Sequence, residues 1–181
     1  MLKRIAIVLL VVVSLSLQSC ASAALSLKSY VNTYEGYEFL YPNGWVQVKV
    51  DKGPDVVFHD LIDERENVSV VISPISDSSK TLTEIGTPTD VGYRLSKTVI
   101  APPDSGREAD LISASSRQAN DETYYLLEYA IKLPNQVVRH NLTSAIVRRG
   151  QLFTFSLYTS ENRWQKSQDL FRKVVNTFSV Y

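Results

Sequence analysis

Between Thr123 and Tyr158 the sequence reads T-Y-Y-L-L-E-Y-A-I-K-L, P-N-Q, V-V-R-H-N-L-T-S-A-I-V-R, R-G, Q-L-F-T-F-S-L-Y. Three apolar runs are parted by two short turn signals, Pro134-Asn135 and Arg149-Gly150, and this spacing predicts an antiparallel meander. In the first run Tyr125, Leu127, Tyr129, Ile131 and Leu133 share one face while Glu128 and Lys132 take the other. A period of two belongs to a strand with one buried face. After the third run the period changes. Trp164, Phe171, Val174, Val175 and Phe178 fall at helical spacing within Glu161 to Phe178, with Arg163, Lys166, Arg172 and Lys173 off the stripe. Ser160 suits the N-cap and Glu161 the first turn. Such a helix needs a sheet face to cover, and the meander supplies one.

Upstream, two short strands flank Pro42-Asn43-Gly44, in which Pro sets φ and Asn-Gly tolerates positive φ. Trp45 beside this turn reads as a core anchor. Val56 to Ile62 and Asn67 to Ile75 form another strand pair across Asp63-Glu64-Arg65-Glu66. Thr81 to Glu84 has the form of a capping box, with Gly86 as a stop. Thr87-Pro88-Thr89-Asp90 opens a second helix whose apolar edge is Val91, Leu95 and Val99. Glu108 to Gln118 resumes as a strand and Asn120-Asp121 turns into the meander. The sum is an α+β domain: about seven mostly antiparallel strands with helices on both sides, an α-β-α sandwich around a central sheet.

Charge and cysteine use narrow the function. Bases and acids number 19 each. The first 19 residues hold Lys3 and Arg4 and no acid, so 17 bases against 19 acids remain, a net charge of about −2. This lacks the basic excess that nucleic-acid binding requires. Met1 to Arg4 is a short positive region and Ile5 to Leu17 an apolar stretch, together a secretory signal of residues 1–19. Leu17-Gln18-Ser19-Cys20 then resembles the bacterial lipobox, in which the cysteine is acylated and becomes the mature N-terminus. Cys20 is the single cysteine of the chain, so it has no internal disulfide partner. Ordinary cleavage after Ala21-Ser22-Ala23-Ala24, releasing a soluble protein, is the competing expectation. Residues 20–29 read as the lipidated cysteine and a flexible tether spanning roughly 17 Å, and 30–181 as the folded domain. Each buried acyl methylene contributes about 0.8 kcal/mol, so two or three chains hold a protein at a bilayer without a spanning helix.

The sequence contains no G-x-S-x-G, glycine-rich phosphate loop or H-E-x-x-H pattern, and no catalytic residue is assigned. His59 with Asp55 or Asp60 is the candidate metal site, because imidazole and carboxylate suit zinc or manganese. Two ligands from one segment do not close a site, and a surface histidine in a charged strand is the simpler reading. His140, on a face with Val138, Leu142 and Ile146, reads as a hydrogen-bonded, partly buried histidine. Arg139, Arg148, Arg149, Arg163 and Lys166, with Arg172 and Lys173, are candidates for a positive patch meeting acidic protein surfaces or lipid head groups. The competing reading is the solvated face of a strand and an amphipathic helix.

Four groups of residues in order complete the reading: Gly36-Tyr37-x-Phe39-x-Tyr41-Pro42-x-Gly44-Trp45; Asn67-Val68-Ser69-Val70 with Ser73-Pro74; Gly86-x-Pro88 with Val91-Gly92; and Tyr124-Tyr125-x-Leu127-Glu128-Tyr129. Together they resemble the PsbP family of photosystem II extrinsic proteins, and the lipobox makes the chain similar to its cyanobacterial, lipid-anchored form. The resemblance implies the same α-β-α sandwich, no enzymatic activity and no required cofactor. It also implies a place on the lumenal side of the thylakoid membrane, where the chain docks on photosystem II lumenal subunits or assembly intermediates. There it would assist assembly or stability of the oxygen-evolving complex. Plant members help to retain calcium and chloride, and family members take up divalent metal, which adds calcium to zinc and manganese as candidate ions. Here a lipidated cysteine and short tether stand where plant members carry a longer free arm, which favours an accessory or assembly role over ion retention. Two other expectations compete: an envelope lipoprotein that carries or senses a small apolar ligand between sheet and helix, and a metal-dependent enzyme at His59.

Overall fold

The computed structural model describes residues 26–181. The secretory segment and Cys20 lie outside the described residues. Ten strands and three α-helices follow in order: β1 Leu27–Asn32, β2 Tyr37–Pro42, β3 Trp45–Val48, β4 Val56–Asp60, β5 Asn67–Pro74, α1 Leu82–Ile85, α2 Pro88–Leu95, β6 Glu108–Ala119, β7 Glu122–Lys132, β8 Val138–Arg148, β9 Gln151–Ser160, α3 Glu161–Asn176 and β10 Ser179–Val180. Seven strands make one antiparallel sheet in the order β3-β4-β5-β9-β8-β7-β6. A smaller sheet, β1-β2-β10, packs across part of it.

The local signals act as their chemistry dictates. The two-residue turns before β7 and before β9 each place two consecutive residues at positive φ, Asn120 (52°) and Asp121 (61°), then Arg149 (52°) and Gly150 (71°). That is the geometry whose twist matches antiparallel strands. At the start of α2, Asp90 N–H donates to the Thr87 hydroxyl and Thr87 N–H donates to the Asp90 carboxylate, so two otherwise orphaned amides are satisfied. α2 continues as one turn of π-helix, Ser96–Ile100, closed by Ala101 N–H on the Ser96 carbonyl. Ser160 caps α3 through Arg163 N–H.

Helices lie on both faces of the large sheet, giving the α-β-α layering. On one face α3 and the small sheet bury Tyr37, Phe39, Phe58, Phe155, Trp164 and Phe178 in an aromatic-rich core. On the other face α1, α2 and the π turn cover Tyr125, Leu127, Tyr129 and Ile131.

The strands expected around Pro42-Asn43-Gly44 are β2 and β3, and they belong to different sheets. Two sequence expectations are corrected here. Leu27–Ser29, assigned to the tether, pair in β1 with Leu40–Pro42. Finally, the apolar face of β7 lies under α1 and α2, whereas α3 packs on the face that carries Glu128. Glu128, expected toward solvent, is 8% exposed, because α3 and β8 supply the cations that its burial requires.

Candidate functional site

The helix-bearing face under α2 has two unlike halves. Cross-strand neighbours share a face, so the register defines rows running from β4 to β7: Val57, Ser69, Ser156, Thr143 and Leu127, then His59, Asn67, Tyr158, Asn141 and Tyr129. The β7 end is apolar and covered. The β5-β9-β8 end is polar: Thr143 hydrogen bonds to Asn141 Oδ1 at 2.9 Å and to Ser156 Oγ at 2.7 Å, all three buried. Above this polar half is a groove of about 450 Å³, lined among others by Ser69, Ser156, Tyr158, Arg107 and Arg139, with Thr98 and Val99 of the π turn as one wall. The Arg139 guanidinium lies 5.6 Å from the Tyr158 ring centroid, and its Nη2 is buried with no hydrogen-bond partner among the described residues. Burial pulls Arg139 below the usual arginine range, and the neighbouring Arg107 pulls in the same direction.

On the opposite face, beneath α3, lies a buried charge network. His140, 3% exposed, presents Nε2 to Glu128 Oε1 at 2.9 Å and Nδ1 to Glu161 Oε2 at 3.2 Å. Each ring nitrogen faces a carboxylate oxygen, so the imidazole bridges the two acids. Arg172 donates to Glu128 Oε2 at 2.8 Å and lies 5.0 Å from the Trp164 ring centroid. Burial alone would raise the Glu128 carboxyl, but hydrogen bonds from Arg172 and His140 outweigh it and hold the group below the usual range. Glu66 is the converse. Burial raises its carboxyl despite Arg163 at 3.3 Å and Thr159 at 3.0 Å. His140 is thus a hydrogen-bonded core histidine, as its spacing predicted.

The other expected site residues are dispersed. Asp55 accepts from the Tyr37 hydroxyl and from Asn32 Nδ2 at 3.0 Å. Asp60 accepts from the amides of Ile62 and Asp63, and His59 Nδ1 lies 2.8 Å from the Asp60 carbonyl. Four residue steps of extended chain, about 13 Å, part Asp55 from His59, and Asp60 points to the other face of the strand. Among the described residues no group of three or more His, Cys, Asp or Glu is placed to hold a metal ion. His59, Asp55 and Asp60 belong to no such group.

Nor do the cations make one patch. Arg148 pairs with Glu122 at one end of β8, and Arg149 donates to the carbonyls of Glu35 and Tyr181. Arg163 and Arg172 reach the buried glutamates beneath α3. Lys166 lies with Arg163 on the outer rim of α3, and Arg139 faces the groove at the far end of β8. The space expected to hold an apolar ligand, between sheet and α3, is filled by Phe155, Phe171, Phe178 and Trp164. The sequence reading missed Arg107, Tyr158 and Glu66. Each is unremarkable in its own segment and acquires a role only through partners far away in the chain.

Seven antiparallel strands thus lie between two helical layers, with a small β1-β2-β10 sheet on the α3 side. Residues 25–180 match PsbP, and the chain belongs to the PsbP family. Within it, the chain is 48% identical to CyanoP of Thermosynechococcus vestitus over 185 aligned positions spanning the whole of both chains. It is also 48% identical to CyanoP of Synechocystis sp., over 93% of this chain and 91% of that one. The solution structure of Synechocystis CyanoP superposes with a TM-score of 0.73, at 49% identity, covering 90% of this chain and 98% of that one.

Proposed function

We propose that this protein is a non-catalytic, lipid-anchored accessory protein on the lumenal side of the thylakoid membrane. There it docks on photosystem II or its assembly intermediates and assists assembly or stability of the oxygen-evolving complex. The observation that carries this reading is the full-length similarity to CyanoP within the PsbP family. The lipobox at Leu17 to Cys20 supports the anchor. Because β1 begins at Leu27, a lipid on Cys20 would hold the folded domain within about 25 Å of the bilayer even with the intervening chain fully extended. No helix of the described residues is long and apolar enough to cross a membrane, so acyl chains are the proposed means of attachment.

The test is crosslinking of the native protein in intact membranes, followed by identification of its neighbours. Photosystem II lumenal subunits are expected among the adducts. Adducts confined to unrelated envelope proteins would refute the docking partner and favour the envelope-lipoprotein alternative.

A further inference from the structure

We propose that the groove over the polar half of the sheet binds a phosphate-type oxyanion, presented by a small phosphorylated molecule or by the head group of an anionic lipid. Three observations converge on it. First, two guanidinium groups from separate parts of the fold, Arg107 before β6 and Arg139 on β8, line one cavity. Arg139 Nη2 is buried beside it without an acceptor among the described residues. A buried unpaired donor costs stability, and a planar guanidinium is matched best by an oxyanion that accepts from it.

Second, hydroxyl-bearing side chains are set among the apolar lining that Val57, Val71 and Val99 supply to the groove. Ser69 and Ser73 offer hydroxyl donors from β5, and Tyr158 of β9 adds a phenol. Donors arriving from two sides suit a tetrahedral anion better than a planar one. Third, charge decides between anions. Asp63 is the acid closest to acting on Arg139, and it is already bound by Arg65 at 2.7 Å. Among the described residues neither groove arginine forms a salt bridge, so the pair favours a dianion over a single charge. A phosphate monoester carries about −1.5 to −2 at neutral pH, whereas one carboxylate would leave a cation unmatched. The volume, about 450 Å³, lies in the usual range for small-ligand sites.

The test uses the full-length chain in a non-ionic detergent, with thermal unfolding followed as sodium phosphate replaces sodium chloride at constant ionic strength. The midpoint is expected to rise with phosphate, as for any ligand of the native state. R107Q and R139Q should each weaken the response about tenfold, while R148Q, whose side chain is paired to Glu122 at the other end of β8, keeps it. Arg107 is exposed, so R107Q retains the fold even if R139Q does not. Glycerol 3-phosphate and a short-chain phosphatidic acid then separate the sources. If the phosphatidic acid saturates at much lower concentration, the ligand is a lipid head group; if the two match, it is a soluble phosphate. Equal midpoints in phosphate and chloride, or a phosphate response that R107Q leaves intact, would overturn the proposal.

Discussion

The His140 imidazole lies flat on the Trp164 indole, ring centroids 3.9 Å apart and planes 11° from parallel. One ring comes from β8 and the other from the first turn of α3, so this contact seats the helix on the sheet. It also screens the ion pairs of Glu128 from water, because Arg172 crosses the same indole to reach that carboxylate. Removing the indole therefore removes apolar packing and the cover over a buried charge together.

W164A is expected to lower unfolding free energy by about 4 kcal/mol, the range for deleting a large buried aromatic. W164F should lose less, because a ring still meets His140. Urea unfolding of the purified variants measures both. A loss below about 1 kcal/mol in W164A would show that α3 is held chiefly by the Phe171, Val174 and Phe178 end.

Glu128 and Glu66 should give pH dependences of opposite sign. The Glu128 carboxyl is held low in the folded state. The stability it contributes is present above the unfolded carboxyl range, near pH 4.3, and is lost as pH falls through the lower folded value. E128Q is expected to be about 2 kcal/mol less stable than the parent at neutral pH, the gap closing in acid. The Glu66 carboxyl is raised by burial, so its contribution is present below the unfolded range and fades as pH rises through the folded value. E66Q should gain on the parent over that rise. Denaturation curves from acid to neutral pH decide both, and parallel profiles for the two variants would contradict the assignment.

Gly150 closes the β8–β9 turn at φ 71°, and a Cβ there would stand 2.7 Å from the Ser78 Cβ and 3.3 Å from its Cα. Strain and crowding act together, so G150A should destabilise by more than about 1 kcal/mol. The substitution G44A is the control: Gly44 also has positive φ, 91°, but a Cβ there meets nothing within 4 Å among the described residues. It should cost the smaller amount, and calorimetric midpoints that rank them the other way would show that Ser78 yields freely.

Cys20→Ser is expected to move the protein from the detergent phase to the aqueous phase in phase separation, with the mature mass losing its acyl chains. Retention of the variant in the detergent phase would place the membrane attachment elsewhere in the chain.

The local elements were legible because their signals are short-range. Alternation from Tyr125 to Leu133, positive-φ pairs at Asn120-Asp121 and Arg149-Gly150, the Thr87–Asp90 box and the Ser160 cap each act within a few residues. The candidate sites were less legible. Asp55, His59 and Asp60 are neighbours in sequence, yet a strand sends alternate side chains to opposite faces and separates its ends, so nearness in the chain was misleading. Arg139 was named for its charge among Arg148, Arg149, Arg163 and Lys166, but its partner in the groove is Arg107.

The order of residues alone determined the meander, its turns and the amphipathic helix that follows, since period and turn chemistry are written in consecutive positions. Tertiary structure alone decided that β5 lies beside β9, that Glu128 is buried, and that Arg107, Arg139 and Tyr158 meet above a polar sheet. Those outcomes depend on which surfaces pack together, and packing joins residues whose separation along the chain carries no trace of the contact.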